Sequence, residues 1–428
     1  MLDFFQRSEF SKNVFILVSG SSIAQLIPLL AEPIVSRIFL PEEFGVYEIY
    51  IAIVMMLGVI ATARYEMAIV LPRTENKAVN VLGLSLVAVL AFSGIILLTI
   101  IFARSWVLTL IPAEGFNRFV IYIPLGILIY GINRSYLYWM IRNQQMKSIS
   151  FARISESSTK AGGSILFGIM KLSSLGLIWG QILGQTASAI IMVWQFLRRD
   201  MNKLRFLQRA AMVRLSRKYI EFPLVNVPIA LSETFQISGI IFVFSFYFDN
   251  SSVGEFSKAL RILIIPLYLI GSSISQVFYQ KATRDYNKGI DIADNLREIV
   301  KNLLKWSVAP LVVFLFISPW LFGFVLGKQW FVAGEYARIL AIWIFIKFIT
   351  SPITVVPMII DKQKVYLLLN FIGNILMFAS VIIPGIMGSG IITTLMALSL
   401  TMTIFSLFLY FKVLDVYRKS LKSKIKSG

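Results

Sequence analysis

Twelve apolar stretches run through this chain, at about 14–38, 44–70, 79–102, 116–141, 150–170, 174–197, 219–248, 253–280, 299–325, 330–361, 365–387 and 390–414. Each is about 20 to 30 residues, enough for a helix to cross a hydrocarbon layer about 30 Å thick, some with tilt. Lipid offers no hydrogen-bond partner, so such segments can satisfy their backbones only as helices. The pattern predicts an all-α integral membrane protein with twelve transmembrane helices. A hydrophobic fraction of 57% over 428 residues leaves no room for a separate soluble domain.

The basic residues sort between the connections. Of the 41 Lys and Arg, 29 fall in alternate segments: Arg7 and Lys12 at the N-terminus, then 71–78, 142–153, 198–218, 281–305, 362–364 and the tail, with Lys412 counted in the tail. The other connections hold only Arg104, Arg118, Lys171 and Lys328. The positive-inside rule then puts both termini and every basic segment in the cytoplasm. The net charge of +19 is juxtamembrane charge, which serves topology and attraction to anionic membrane lipids, so nucleic acid is not an expected partner.

The chain has no Cys and no His. That removes disulfides, thiolate nucleophiles, the usual general base and the commonest metal ligand, so neither a catalytic nor a metal site is expected. The first apolar stretch is too long for a secretory h-region and no A-x-A-like cleavage signal follows it, so it reads as a retained helix.

Segment 198–218, with eight cations against Asp200, divides the chain into an N-terminal six-helix bundle at 1–197 and a C-terminal one at 219–428 with a basic cytoplasmic tail. Leu204, Leu207, Ala211, Met212 and Leu215 recur within it at helical spacing, so it reads either as a basic amphipathic helix on the inner surface or as a solvated linker. A repeat supports the division. Phe39, Gly45 and Tyr47 recur as Phe248, Gly254 and Phe256, each 209 positions later. Six helices per half make this a parallel repeat about an axis along the membrane normal. The first helix of each half carries a polar stripe: Ser22, Gln25 and Glu32 in one, and Asn226, Glu233 and Gln236 in the other. The neutral members read as interhelical hydrogen-bonding groups, and Glu32 and Glu233 as facing a cavity.

The run ARYEMAIVLP at 63–72, with the turn FLPEEFGVYE at 39–48, resembles the pattern at these positions in polysaccharide-repeat flippases of the Wzx type. These belong to the multidrug/oligosaccharidyl-lipid/polysaccharide (MOP) exporter superfamily, whose fold is that of the multidrug and toxin extruders. The resemblance implies alternating access between two bundles, and translocation of an undecaprenyl-pyrophosphate-linked oligosaccharide to the outer leaflet of a bacterial plasma (inner) membrane. The product would feed O-antigen, capsule or a related polymer. A polysaccharide polymerase and a chain-length regulator would be partners.

The chemistry of the spans agrees. A bare pyrophosphate crossing hydrocarbon meets a Born penalty of order 20 kcal/mol per ion, which cations in a wet cavity remove. Charges are unfavourable at the bilayer centre by about 2.5 to 3.5 kcal/mol even on the lenient scale, so those within spans mark function or a partner. The candidate substrate-binding cations are Arg64, Arg134, Lys160, Lys258, Arg261 and Lys347. Helical rise places Arg64 about 9 Å and Arg134 about 10 Å from the inner ends of their helices. Arg134, Arg261 and Lys347 are expected to line one central cavity, whereas Arg37 and Arg338 read as interfacial anchors. Glu32, Glu66, Glu156 and Glu233 are the candidate coupling-ion or counter-charge acids. Glu156 and Lys160 are spaced for an ion pair on one helix face. Glu233 reads either as a site for coupling H+ or Na+ or as a fixed counter-charge, and no other cofactor is expected.

Two other functions compete. A cation-coupled multidrug exporter wants an acidic cavity, but the span charges are mostly basic. A membrane polymerase or glycosyltransferase wants a large external catalytic loop, but the longest such connection is about 103–118. The topology makes a direct prediction: a reporter fused after Arg205 reads cytoplasmic, and one inserted near Ser251 reads external. The opposite result at either position overturns the assignment.

Overall fold

The computed structural model describes residues 9–111, 115–266, 270–288 and 290–427, and Arg7 lies outside them. All regular structure among them is helical. Fourteen principal helices follow in order: α1 Glu9–Ile38, α2 Pro41–Ala61, α3 Glu75–Phe102, α4 Ile123–Arg142, α5 Met146–Ile169, α6 Ser174–Asp200, α7 Arg209–Lys218, α8 Phe222–Phe244, α9 Asn250–Pro266, α10 Ser272–Asn287, α11 Ala293–Val325, α12 Phe331–Thr350, α13 Gln363–Ile386 and α14 Ile391–Ser427.

Nine helical segments among the described residues are long and apolar enough to cross a membrane. Three of the twelve expected stretches are not among the nine. The 150–170 stretch does form α5, but Arg153, Glu156 and Lys160 interrupt its apolar run. The 253–280 stretch is shared between α9 and α10, with residues 267–269 outside the described set. The 14–38 stretch lies wholly on α1.

By internal contacts the chain divides into two compact units at Ser251/Ser252. In the first, α5 packs along both α1 and α6. The α5–α6 contact rests on Gly176, Gly180 and Gly184, a stripe at i, i+4 and i+8 on α6. A Cβ on Gly184 would sit 2.7 Å from the Glu156 carbonyl and 2.8 Å from Lys160 Cβ, and one on Gly180 would overlap the Ser164 hydroxyl. Without a hydrophobic drive between helices in lipid, small residues that admit close backbone approach hold such pairs.

The core at one end of this unit gathers Tyr65, Ala68, Ile69, Val79, Leu82, Trp139, Phe196, Leu215 and Tyr219. It therefore includes residues of segment 198–218, and the expectation that the segment's apolar face lies on the membrane is corrected. Leu215 is buried, and Leu207 and Met212 fill the space where a Gly83 side chain would stand. Protein took that face because Gly83 leaves a gap on α3. Asn80 also binds the connector backbone, donating to Phe206 O at 2.8 Å and accepting from Gln208 N at 2.8 Å.

The second stretch is not one helix. α2 ends at Ala61, and Ala63 and Arg64 adopt left-handed φ values of 47° and 57° before a short helical turn Tyr65–Ala68. The seventh stretch is irregular: π-helical turns at Phe222–Asn226, which contains Pro223, and at Phe235–Gly239 bracket Val227–Thr234. Such turns relieve a backbone that Pro has deprived of a donor.

In the second unit, α11 packs on α12, and α14 packs on both α12 and α13. A Gly334 Cβ would meet the Pro319 backbone at 2.5 Å. A separate core of Phe278, Ile292, Leu296, Ile353 and Tyr417 is pinned by the Tyr417 hydroxyl, which donates to Asp291 Oδ1 at 2.7 Å and accepts from Ile292 N at 3.0 Å.

The glycine stripe predicts that Gly184→Val destabilises the protein by about 1 to 3 kcal/mol through overpacking against α5. Thermal unfolding of the detergent-solubilised protein measures it. An unchanged midpoint would show that α5 yields freely.

Candidate functional site

The left-handed turn at Ala63–Arg64 sets the geometry around the RYE motif. By ending α2 early, it directs the chain so that Glu66 is 1% exposed and Arg64 Nη1 donates to Glu66 Oε1 at 3.4 Å. The rise-based depth of Arg64 therefore does not hold, because the helix it assumed has already stopped. Neither side chain is fully satisfied by this contact: Arg64 Nε and Glu66 Oε2 are buried without a hydrogen-bond partner. Tyr65 faces elsewhere, donating its hydroxyl to Ser216 O of α7 at 3.4 Å.

Arg134 on α4 is the electrostatic centre of the unit. Its Nε donates to the Tyr130 hydroxyl at 3.2 Å, and its guanidinium lies 5.4 Å from that ring's centroid. Its charge acts on Glu66, Arg153 and Glu156. One turn along α5 from Glu156, Lys160 feels the same carboxylate, and its ammonium rests 5.6 Å from the centroid of Tyr47 on α2. Tyr47 in turn donates to Gln181 Oε1 on α6 at 3.1 Å. Asn133 donates to Gln185 O at 2.8 Å, and its own Oδ1 is buried without a partner.

The structure thus brings together five of the ten candidate residues: Arg64, Glu66, Arg134, Glu156 and Lys160. It adds Arg153, Tyr47, Tyr130, Asn133, Gln181 and Gln185, which were not singled out as site residues. The visible signal for the two glutamines was their place one residue after Gly180 and Gly184 on the close-packed face. All four cations of the group are partly accessible. Charged donors beside aromatic faces and the free Asn133 amide oxygen can bind an oxyanion and a sugar hydroxyl together.

The other candidates lie on α1, α8, α9 and α12. Glu32 on α1 is half-buried and accepts from the Ser36 hydroxyl at 3.3 Å. Glu233 on α8 is exposed. In the second unit, Lys258 is 3% exposed with its ammonium 4.5 Å from the Trp330 centroid, and Arg261 is half-buried one turn on. Lys347 lies near the middle of the Lys328–Ile359 segment, as the sequence placed it, in the last turn of α12 before the 3-10 turn Ser351–Val355; it is exposed, 5.7 Å from the Trp343 centroid.

The fold is that of MOP-superfamily transporters. Over 96% of this chain and 99% of the other, it is similar to an inward-facing multidrug resistance MATE family transporter of that superfamily, at 15% identity and a TM-score of 0.70. It is also similar to the lipid II flippase MurJ in an inward closed conformation, at 14% identity and a TM-score of 0.73, over 95% and 91% of the two chains. No curated protein sequence matches. Residues 34–335 match the polysaccharide biosynthesis protein family, and the chain belongs to it. Its nine long apolar helical segments among the described residues make it a multi-pass membrane protein.

Because Glu66 is buried against Arg64, removing one partner strands the other. Arg64→Ala should cost about 3 to 5 kcal/mol of stability, and the double variant Arg64→Ala with Glu66→Gln should recover much of it. Protein level and thermal midpoint in membranes report this. A single variant as stable as the parent would show that the pair contributes nothing.

Proposed function

We propose that the protein is a flippase for undecaprenyl-pyrophosphate-linked oligosaccharide repeat units, moving them from the cytoplasmic to the outer leaflet of a bacterial plasma membrane by alternating access. The reading includes cytoplasmic termini and basic segments. It makes O-antigen or capsule synthesis the destination, with a polysaccharide polymerase and a chain-length regulator downstream. The observation that carries it is the cluster around Arg134. Four cations, Arg64, Arg134, Arg153 and Lys160, face two carboxylates, Glu66 and Glu156, leaving two positive charges uncompensated within the group. A pyrophosphate diester brings one ionised oxygen on each phosphorus. Arg forks suit those oxygens, Lys adds a point charge, and Tyr47, Asn133, Gln181 and Gln185 suit sugar hydroxyls.

In this mechanism the two carboxylates hold the cations when no headgroup is bound, which keeps the empty carrier from burying bare charge. The arriving pyrophosphate competes for the same donors. Glu233, exposed between two π-helical turns, is the place where H+ or Na+ would couple a gradient to the cycle.

A cation-coupled drug exporter is the second reading, favoured by the MATE likeness of the fold. The net positive cluster opposes it, since an organic cation would be repelled where an anion is attracted.

Arg134→Ala should lower export of lipid-linked repeats at least about tenfold, and Arg134→Lys should keep part of it, because point charge survives while the planar fork is lost. The measurement is accumulation of lipid-linked units on the cytoplasmic leaflet, read beside membrane protein level. Normal export from Arg134→Ala at normal protein level would remove the cationic headgroup site, and loss of the protein without any such accumulation would remove the flippase reading.

A further inference from the structure

The connector between the halves has an outer face that the proposed cycle does not use. At 100° per residue, Arg209, Ala210, Val213, Arg214, Arg217 and Lys218 occupy one half of α7, and all six are exposed. Ala211, Met212, Leu215 and Ser216 occupy the other half. That half is committed to protein: Leu215 is buried in the core under Trp139 and Phe196, Met212 lies where a Gly83 side chain would be, and Ser216 O accepts from Tyr65.

We propose that the exposed half of α7 is a docking surface for anionic phospholipid headgroups of the leaflet on its side of the membrane. It rests on the cytoplasmic placement of this segment in the proposed topology and is independent of the substrate. An amphipathic helix ordinarily enters the interface by its apolar face, which is not available here. What it offers instead is charge: four cations, with no carboxylate anywhere in α7. The nearest preceding acid, Asp200, is engaged internally, accepting from Trp139 Nε1 at 2.9 Å and pairing with Lys203 at 2.8 Å. The ammonium of Lys203 also meets Glu75 at 2.7 Å. Asp200 and Glu75 therefore fasten the connector rather than neutralise its outer face, and Glu221, three residues past Lys218, is a single exposed carboxylate beside four cations.

Flanking groups fit a lipid boundary rather than open water. Trp194 is 55% exposed beneath the Arg198 guanidinium, 5.2 Å from the ring centroid, and Val213 and Ile220 are 47% and 46% exposed among the cations. Cations interleaved with exposed apolar side chains match phosphate headgroups above acyl chains. Asn80 and Tyr65 hold the helix in register, so the charges are presented by a fastened element. Through Tyr65, a lipid on α7 also bears on the residue between Arg64 and Glu66.

The absence of Cys from the chain makes Ala210→Cys a unique labelling position. The full-length protein, carrying a fluorophore there, is placed in phosphatidylcholine nanodiscs containing a minority of dibrominated phosphatidylglycerol or dibrominated phosphatidylcholine. Brominated phosphatidylglycerol should quench the label about fivefold more strongly, with the excess shrinking as salt rises. The combined variant Arg209→Gln, Arg214→Gln, Arg217→Gln and Lys218→Gln should bring the two lipids to parity. Should that variant fail to fold, the four single Gln variants decide the matter, each lowering the excess in part. Equal quenching in the parent, or an excess that survives Gln substitution, overturns the proposal. A label that ignores brominated phosphatidylglycerol but changes its emission when undecaprenyl pyrophosphate is added would assign the surface to substrate loading and overturn it equally. An impermeant maleimide applied to Cys-substituted cells reads the topology separately, so failure of placement is distinguished from failure of lipid binding.

Discussion

A charge taken into hydrocarbon must meet another charge, a dipole or water, and the first unit is arranged around that requirement. Arg134 cannot be left bare, so Tyr130 supports it from its own helix, and Glu66 and Glu156 approach it from two other segments. Each approach has its own structural cause. Glu66 arrives because two left-handed residues end α2 early. Glu156 and Lys160 lie on the helix that the glycines of α6 allow to pack at near-backbone distance. The group is thus a product of one turn and one glycine stripe, neither of which carries charge.

The three residues of the RYE motif divide three tasks. Arg64 makes the ion pair, Glu66 supplies the buried counter-charge, and Tyr65 reaches the connector through Ser216. The motif therefore lies where a charged site and the 198–218 segment are joined. Trp139 works in parallel, giving its indole N–H to Asp200 at the end of α6 while Lys203 sits over its ring. Stiffening of this kind suits a carrier, in which a headgroup site must keep its shape while larger parts move.

The number of apolar stretches, the alternation of basic segments, the polar stripes and the list of charges within spans are all local properties, and local pattern made them legible. Helical character follows because lipid leaves the backbone no alternative. The prolines at 223 and 228 announced an irregular helix, and a π-helical turn at Phe222–Asn226 precedes Val227–Thr234. The boundary at Arg64 was misjudged because a helix was extended through residues whose backbone conformation depends on what they pack against.

The sequence by itself determined that this chain crosses membranes as helices and which charges it must accommodate there, since both follow from the transfer cost of each residue taken singly. Beyond the local spacing of Glu156 and Lys160, tertiary structure decided which charges meet. It gathered Arg64, Glu66, Arg134, Glu156 and Lys160 from separate segments, buried Lys258 against Trp330, and turned the apolar face of α7 onto α3. Those outcomes depend on close approach between residues tens to more than a hundred positions apart, and periodicity within a single helix carries no information about the partner it will meet.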